Sequence, residues 1–260
     1  MAALLEVQGL VKSFGPVDVL HGVDLSLEAG EVLALVGDNG AGKSTLIKHI
    51  AGVYKPDAGE IRLEGQPVRL ETPGQARLRG IETVYQDLAL ADELSVGANI
   101  FLGREPVRRL FGLIPVIDNA RIRKETGALL ARIESRIPRK ARTVSRLSGG
   151  QRQAVSIARA LYWQAKVVIM DEPTAALAVM EREHVIGLAR RLAAEGVGVI
   201  YIGHNLIEIL EVADRVAVMY RGRIVHTTDA RRTNQQELIK YMTGFSEAPA
   251  QVQAVSSVTA

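Results

Sequence analysis

The chain has 260 residues, 47% hydrophobic and 23% charged, with 32 basic against 29 acidic side chains and a formal net charge of +3. That length holds one α/β domain, or a core domain with a subdomain, in a globular protein. Cysteine is absent, which excludes disulfides, thiolate chemistry and thiolate metal sites, and aromatic residues at 4% with dispersed basic residues make stacking platforms for nucleic acid hard to find.

The opening stretch, "MAALLEVQGLVKSFG", carries Glu6 and has no basic segment ahead of its apolar residues, so it does not read as a signal peptide. No apolar run approaches the roughly 20 residues needed to cross a bilayer. The expectation is a soluble or peripheral protein whose membrane role comes through a partner. "LLEVQGLVKSFG" and "DVLHGVDLSLEAGE" alternate apolar and polar residues, which predicts strands with turns at Gly15-Pro16 and Ala29-Gly30. "EVLALVG" is a short apolar run, the pattern of a strand buried on both faces. A glycine-rich turn follows, then "KSTLIKHIAGV" with helical spacing, then the strand-like "GEIRLEGQPVRL" punctuated at Gly65-Gln66-Pro67.

From about Leu88 to Trp163 helical periodicity dominates, broken by Pro106, Pro115 and Pro138. This predicts a mostly helical subdomain inserted into the α/β core. Strands return at "KVVIMDE", "GVGVIYIG" and "RVAVMYRGRIVH", with helices at "EREHVIGLARRLAAEG" and "LIEILEVA" between them. Strands alternating with helices imply a mainly parallel sheet covered on both faces. "QQELIKYMTG" predicts a closing helix that ends at Gly244. The expected division is one domain over 1–244, its core at about 1–87 and 164–244 and its helical subdomain at about 88–163, followed by a flexible tail over 245–260.

The strongest local signal is "GDNGAGKST", Gly37 to Thr45, which matches G-x-x-x-x-G-K-[ST] between a buried strand and a helix. Gly37, Gly40 and Gly42 let the backbone curl close to phosphate oxygens. The intervening Asp38, Asn39 and Ala41 add backbone N–H groups, and the helix N-terminus faces the same anion. Lys43 neutralises β- and γ-phosphate charge, Ser44 offers a hydroxyl to Mg²⁺, and Thr45 reaches an α-phosphate oxygen. The loop points to a nucleoside triphosphate with Mg²⁺ without separating a hydrolase from a kinase.

"VVIMDEPT" runs four apolar residues into Asp171 and Glu172. A strand ending beside the phosphate loop places Asp171 near the metal and Glu172 near the γ-phosphate, where it orients or deprotonates water. His204 lies 32 residues after Glu172, behind another apolar strand. That spacing leaves room for one helix and one strand and brings the two strand ends together. Alone it would be a structural histidine beside a helix cap; with the other motifs it bonds the γ-phosphate and holds the attacking water. Gln86 ends a further apolar stretch at the start of the helical insert, where an amide can touch Mg²⁺ or the water. "LSGGQRQAVSIARAL" sets Ser148, Gly149, Gly150 and Gln151 at the head of an amphipathic helix, a second N-terminus shaped for an anion, with Gln151 lying 20 residues before Asp171.

With phosphate loop, "LSGGQ" and "DE" in one chain, the sequence resembles the ATP-binding subunit of ABC transporters up to about Gly244. The resemblance implies a P-loop NTPase (RecA-like) α/β core with a mainly parallel sheet, an N-terminal antiparallel β-subdomain and an inserted helical subdomain. It identifies Gly37–Thr45 as Walker A, Gln86 as the Q-loop, Leu147–Gln151 as the signature, Val167–Glu172 as Walker B and His204 as the switch histidine. Phe14 falls where the family stacks an aromatic on adenine. "GIETVYQDLAL", "FLGRE", "SGGQRQAV", "KVVIMDEPTAAL" and "VADR" are similar to ATPases of bacterial monosaccharide importers, above all the single-cassette fructose-type branch of the ribose/xylose group.

One cassette per chain then implies a homodimer that sandwiches ATP-Mg²⁺ between Walker A of one copy and Ser148–Gln151 of the other. The implied partners are membrane permease subunits, met through the Gln86 and helical-subdomain face, and indirectly a periplasmic sugar-binding protein. No nucleic acid is implied, and the implied location is the cytoplasmic face of the cell membrane. The rival readings are a soluble ABC ATPase acting on nucleic acid or another partner, an importer of a non-sugar solute, a P-loop kinase, and a cassette that only switches on ATP. Two positions depart from the wider family pattern. Ala178 stands where Asp ends the D-loop, which bears on communication between the two sites, and Gly203 stands where serine commonly precedes the histidine.

Overall fold

The computed structural model describes residues 3–84, 89–110, 113–133, 135, 137, 143–175 and 177–244. Gln86, Pro138 and the tail beyond Gly244 lie outside them.

Two sheets build the core. Strands β1 (Leu5–Phe14) and β2 (Val17–Leu27) pair antiparallel through the Gly15-Pro16 turn, and β4 (Ala58–Leu63) and β5 (Gln66–Val68) extend them into a four-stranded sheet of order β2-β1-β4-β5. The larger sheet runs β12-β11-β3-β10-β9-β6. Its members are β3 (Val32–Val36), β6 (Ile81–Val84), β9 (Val167–Asp171), β10 (Gly198–Ile202), β11 (Arg215–Tyr220) and β12 (Arg223–Asp229). Every pair in it is parallel except β11 with β12.

The continuous apolar runs have the expected cause. Every residue of β3 and β10 is buried, as a parallel strand covered on both faces requires. Alternate side chains serve two cores. Val32, Ala34, Val168, Met170, Val199 and Tyr201 pack with the helices α5 (Gly149–Tyr162), α6 (Val179–Ala194) and α7 (Leu206–Val212). Leu33, Leu35, Val167, Ile169, Ile200 and Ile202 pack with α1 (Lys43–Ile50) and the antiparallel sheet. Helices cover one face; a helix and a second sheet cover the other. This matches the mainly parallel α/β core and the N-terminal antiparallel unit.

The remaining helices are α2 (Pro73–Leu78), α3 (Val96–Phe101), α4 (Asn119–Arg132) and the closing α8 (Gln235–Met242), which runs into Gly244 at φ 74°. Between α3 and α4 the periodicity misleads. A two-stranded hairpin, β7 (Val107–Leu110) with β8 (Ile114–Ile117), occupies what reads as helix broken by prolines. Pro115 sits inside β8 opposite Arg109, and an isolated hairpin tolerates a missing N–H on its edge. The β-branched cluster Ile114, Val116 and Ile117 was the available strand signal.

Candidate functional site

The glycine-rich loop connects β3 to α1. At Gly37 an added Cβ would stand 2.3 Å from the carbonyl oxygen of Met219 on β11, a backbone atom that cannot move aside. Gly42 has φ 108° and caps α1, and a Cβ there would meet Met219 Cε at 2.8 Å and Leu20 Cδ2 at 3.1 Å. Both glycines are therefore fixed by packing on neighbouring strands as well as by backbone conformation. The Ala41 N–H donates to the Asp38 carbonyl at 3.1 Å, and the Ala41 carbonyl accepts from Gly222 at 2.9 Å, which ties the loop to the β11–β12 turn. Asp38, Asn39 and Gly40 form its exposed crest.

Lys43 opens α1 and folds back over the loop. Its Nζ donates to the Gly37 carbonyl at 2.7 Å and the Asp38 carbonyl at 3.0 Å. Burial pulls the ammonium below its ordinary range, while the charges of Glu172, Asp38 and Asp171 pull the other way. Ser44 is exposed and Thr45 half-buried on the same turn. Among the described residues, six of eight helices have an N-cap side chain that accepts a backbone N–H; α1 and α6 do not. The start of α1 also lacks an acidic residue, so its free N–H groups and positive dipole end remain open to an anion.

The carboxylate pair lies at the end of β9. Asp171 pairs in register with Ile202 of β10, and the Glu172 N–H donates to the Ile202 carbonyl at 3.0 Å. Glu172 takes φ 48°, a left-handed conformation that costs a non-glycine residue on the order of 1–3 kcal/mol and persists where the surroundings over-determine it. Burial, then the neighbouring charge of Glu172, raises the Asp171 carboxyl above its ordinary range, against the pull of Lys43 and Lys48. A cation brought to this point relieves both effects.

His204 lies two residues beyond β10. Its Nδ1 stands 3.8 Å from Glu172 Oε1, beyond direct hydrogen bonding, and its side chain is 75% exposed. Glu172, Thr174, Gly203 and His204 line a cavity of about 160 Å³. The expectation from the 32-residue spacing is met, since the two strand ends are adjacent and the two side chains face each other. The bland alternative is met as well, because Asn205 caps α7 with bonds to the Ile207 and Glu208 N–H groups at 3.1 and 3.5 Å.

Ser148 caps α5 in a reciprocal box. The Gln151 N–H donates to Ser148 Oγ at 3.4 Å and the Ser148 N–H to Gln151 Oε1 at 3.1 Å. A Cβ on Gly149 would stand 2.6 Å from Leu177 Cδ2, and one on Gly150 would meet Glu181 Cβ at 3.4 Å. The glycine pair thus lets the turn after β9 and the start of α6 lie against the head of α5.

Phe14, 41% exposed at the end of β1, meets the edge of Tyr54 with centroids 5.1 Å apart, and Lys12 Nζ lies 5.4 Å from its ring. An exposed aromatic ring offers a flat surface for stacking. Sequence reading missed Tyr54, which lies 40 residues away with no motif of its own.

Ala178 proves to be the N-cap residue of α6, exposed and without a capping side chain. Ala178→Asp places a favoured cap three residues ahead of Glu181 and is expected to stabilise the protein by about 1 kcal/mol. A calorimetric scan reads this as a rise in Tm of about 2–4 °C; an unchanged or lower Tm contradicts the cap geometry.

Among the described residues no group of three His, Cys, Asp or Glu side chains could hold a metal ion, and no helix is long and apolar enough to cross a membrane. A family model described as "ABC transporter" matches residues 20–175. The chain is 48% identical over 246 residues to the xylose/arabinose import ATP-binding protein XylG of Sulfolobus acidocaldarius, covering 95% of this chain and 96% of that one. It is 44% identical over 250 residues to the fructose import ATP-binding protein FrcA of Rhizobium meliloti, again covering 95% and 96%. It spans about half the length of the ribose import ATP-binding proteins it also matches, 48% in one case. Among solved structures, the dimeric post-hydrolysis state of the ATP-binding cassette MJ0796 bound to ADP and Pi superposes with TM-score 0.71 at 25% identity, over 88% of this chain and 100% of that one.

Proposed function

The chain belongs to the ABC transporter family, and from that premise we propose that it is the ATP-hydrolysing subunit of a monosaccharide importer. The sugar-import reading is supported by relatives whose names state xylose/arabinose and fructose import and which match this chain end to end. The observation that carries the ATPase reading is the convergence of the uncapped start of α1, Lys43, the β9 carboxylates and His204 at one end of the parallel sheet.

In this reading the backbone N–H groups of Gly37–Thr45 wrap the phosphates of ATP, and Lys43 exchanges its loop carbonyls for β- and γ-phosphate oxygens. Thr45 reaches the α-phosphate, and Phe14 stacks on the adenine. Ser44 and Asp171 would hold Mg²⁺, since a hydroxyl and a carboxylate are the hard oxygen donors such a cation takes. Bound there, it would neutralise charge on the phosphates.

Glu172 accepts the proton of the attacking water, and His204 holds that water in line with the γ-phosphate. Gln86, outside the described residues, is assigned to the metal and the water. Ser148, Gly149, Gly150 and Gln151 of a second copy close over the phosphate loop of the first, which makes the working unit a head-to-tail homodimer. Permease subunits meet the Gln86 and helical-subdomain face and hold the protein peripherally on the cytoplasmic side of the membrane. A periplasmic sugar-binding protein acts through the permease. Val107, Leu113, Ile114 and Ile117 of the hairpin segment are all more than half exposed, which supports a partner on this side of the chain.

The test is product analysis with Mg-ATP and a panel of monosaccharides. The expected products are ADP and free orthophosphate at a rate independent of free sugar. A phosphorylated sugar would replace this reading with a kinase.

A further inference from the structure

One carboxylate has no part in that mechanism. Glu208 lies in the first turn of α7, four residues after His204, and is 4% exposed. It lines the Glu172–His204 cavity. Its Oε1 accepts the Thr174 hydroxyl at 2.6 Å and also the Tyr201 hydroxyl, and Arg182 Nε lies 3.8 Å from Oε2. The three partners come from three places: the turn after β9, β10 itself, and α6.

A buried carboxylate is costly unless it is paired and hydrogen-bonded, and this one has two hydroxyl donors and a guanidinium. The donors are placed to matter. Thr174 stands two residues past Glu172, and Tyr201 three residues before His204. Glu172 holds a left-handed backbone conformation, which needs its turn pinned from outside. The bond from its N–H to Ile202 pins one side of that turn, and Thr174 on Glu208 pins the other. Tyr201 is fully buried with its phenol raised well above the ordinary range, by burial first and then by Glu208, so it stays a donor.

We propose that Glu208 is a positioning residue that sets the distance between Glu172 and His204 by fastening the turn that carries the first and the strand that leads to the second to one carboxylate. The proposal rests on reading Glu172 and His204 as the pair that handles the attacking water. Packing alone would make Glu208 a contributor to stability. Spacing makes its effect depend on His204.

The experiment uses the full chain and measures ATP turnover per ATP-binding site, with sites counted by nucleotide titration. Glu208→Ala is expected to lower kcat at least about tenfold, with KM for ATP within about twofold, because misplacement on the order of 1 Å costs up to about 10²-fold. Glu208→Gln, whose amide oxygen still accepts both hydroxyls, should return kcat to within about threefold of the parent, since those two bonds carry the positioning. In a His204→Ala background, Glu208→Ala should change the residual turnover by less than about twofold, the non-additivity of residues acting through one another. Should Glu208→Ala fail to fold, Thr174→Val removes one fastening and should show the same dependence on His204.

The inference is overturned by parent-like kcat per site in Glu208→Ala or, if that variant does not fold, in Thr174→Val. It is also overturned by an equal fold-loss with and without His204, or by no recovery in a folded Glu208→Gln. Glu172→Gln run alongside separates the two failures. If it turns over normally, the water-handling reading fails and this inference with it. If it is inactive while the Glu208 variants behave as the parent, this inference alone fails.

Discussion

Glu172→Gln is expected to abolish turnover while leaving ATP binding intact. Glutamine keeps the shape of the side chain and loses the ability to take a proton, so the loss should fall in the range of about 10²–10⁴-fold that general-base catalysis contributes. The structure gives the residue little else to do. Its side chain lines the small cavity opposite His204 at 3.8 Å, while the bond to Ile202 and the turn bond from Ala175 use its backbone and survive the change. Removing its charge also eases the repulsion that raises Asp171, so the metal-side carboxylate is not weakened. Phosphate release, ATP titration and gel filtration with Mg-ATP make the check. The expected set is no release, parent-like affinity, and a dimer that persists because its nucleotide is not consumed. Parent-like turnover would remove Glu172 from the base role.

Lys43→Ala should fail one step earlier. A charge-assisted hydrogen bond to phosphate contributes roughly 1.5–3 kcal/mol, so ATP affinity is expected to fall about 10- to 100-fold. The fold should survive. Lys43 sits at the open end of α1, alanine is a good helix former, and the helix is anchored by the buried Leu46, Ile47 and Ile50. The variant leaves the Gly37 and Asp38 carbonyls without their lysine donor, a loss of about 1 kcal/mol per bond. Calorimetric titration with ATP, beside a thermal scan, separates the outcomes. Weak binding with Tm lowered by no more than about 4–8 °C, the cost of the two lost bonds, supports the phosphate contact. Parent-like affinity contradicts it, and collapse of Tm would make Lys43 a structural residue.

Much of this site is legible in the residues because the signals are local. A buried strand followed by Gly37, Gly40, Gly42 and Lys43 obeys short-range rules, as do the apolar run into Asp171 and the placing of Ser148–Gln151 at the head of an amphipathic helix; the capping box between Ser148 and Gln151 is visible only in the fold. The adjacency of Glu172 and His204 follows from one helix-and-strand unit in a parallel sheet. What escapes depends on distant packing. Tyr54 reaches Phe14 only because the antiparallel sheet brings the segment after α1 beside β1. Glu208 gathers Thr174, Tyr201 and Arg182 from three elements, and no spacing in the chain announces that. Gly37 shows the same limit from the other side: the motif asks for glycine there, and only the fold shows that Met219 on β11 forbids anything larger. The hairpin at Pro115 reads in sequence as broken helix because a proline in a short exposed strand looks, locally, like a helix stop. Ala178 reads in sequence as a lost carboxylate between two sites, and in the fold it is also an uncapped helix start.

ATP hydrolysis at this site drives monosaccharide import. Its most direct test is sugar uptake into proteoliposomes that hold this chain with its permease, with Mg-ATP inside and binding protein outside. Uptake is expected to require enclosed Mg-ATP, to rise with sugar-loaded binding protein and to disappear with Glu172→Gln. Uptake unaffected by Glu172→Gln, or ATP hydrolysis that never moves sugar for any monosaccharide offered, would contradict it.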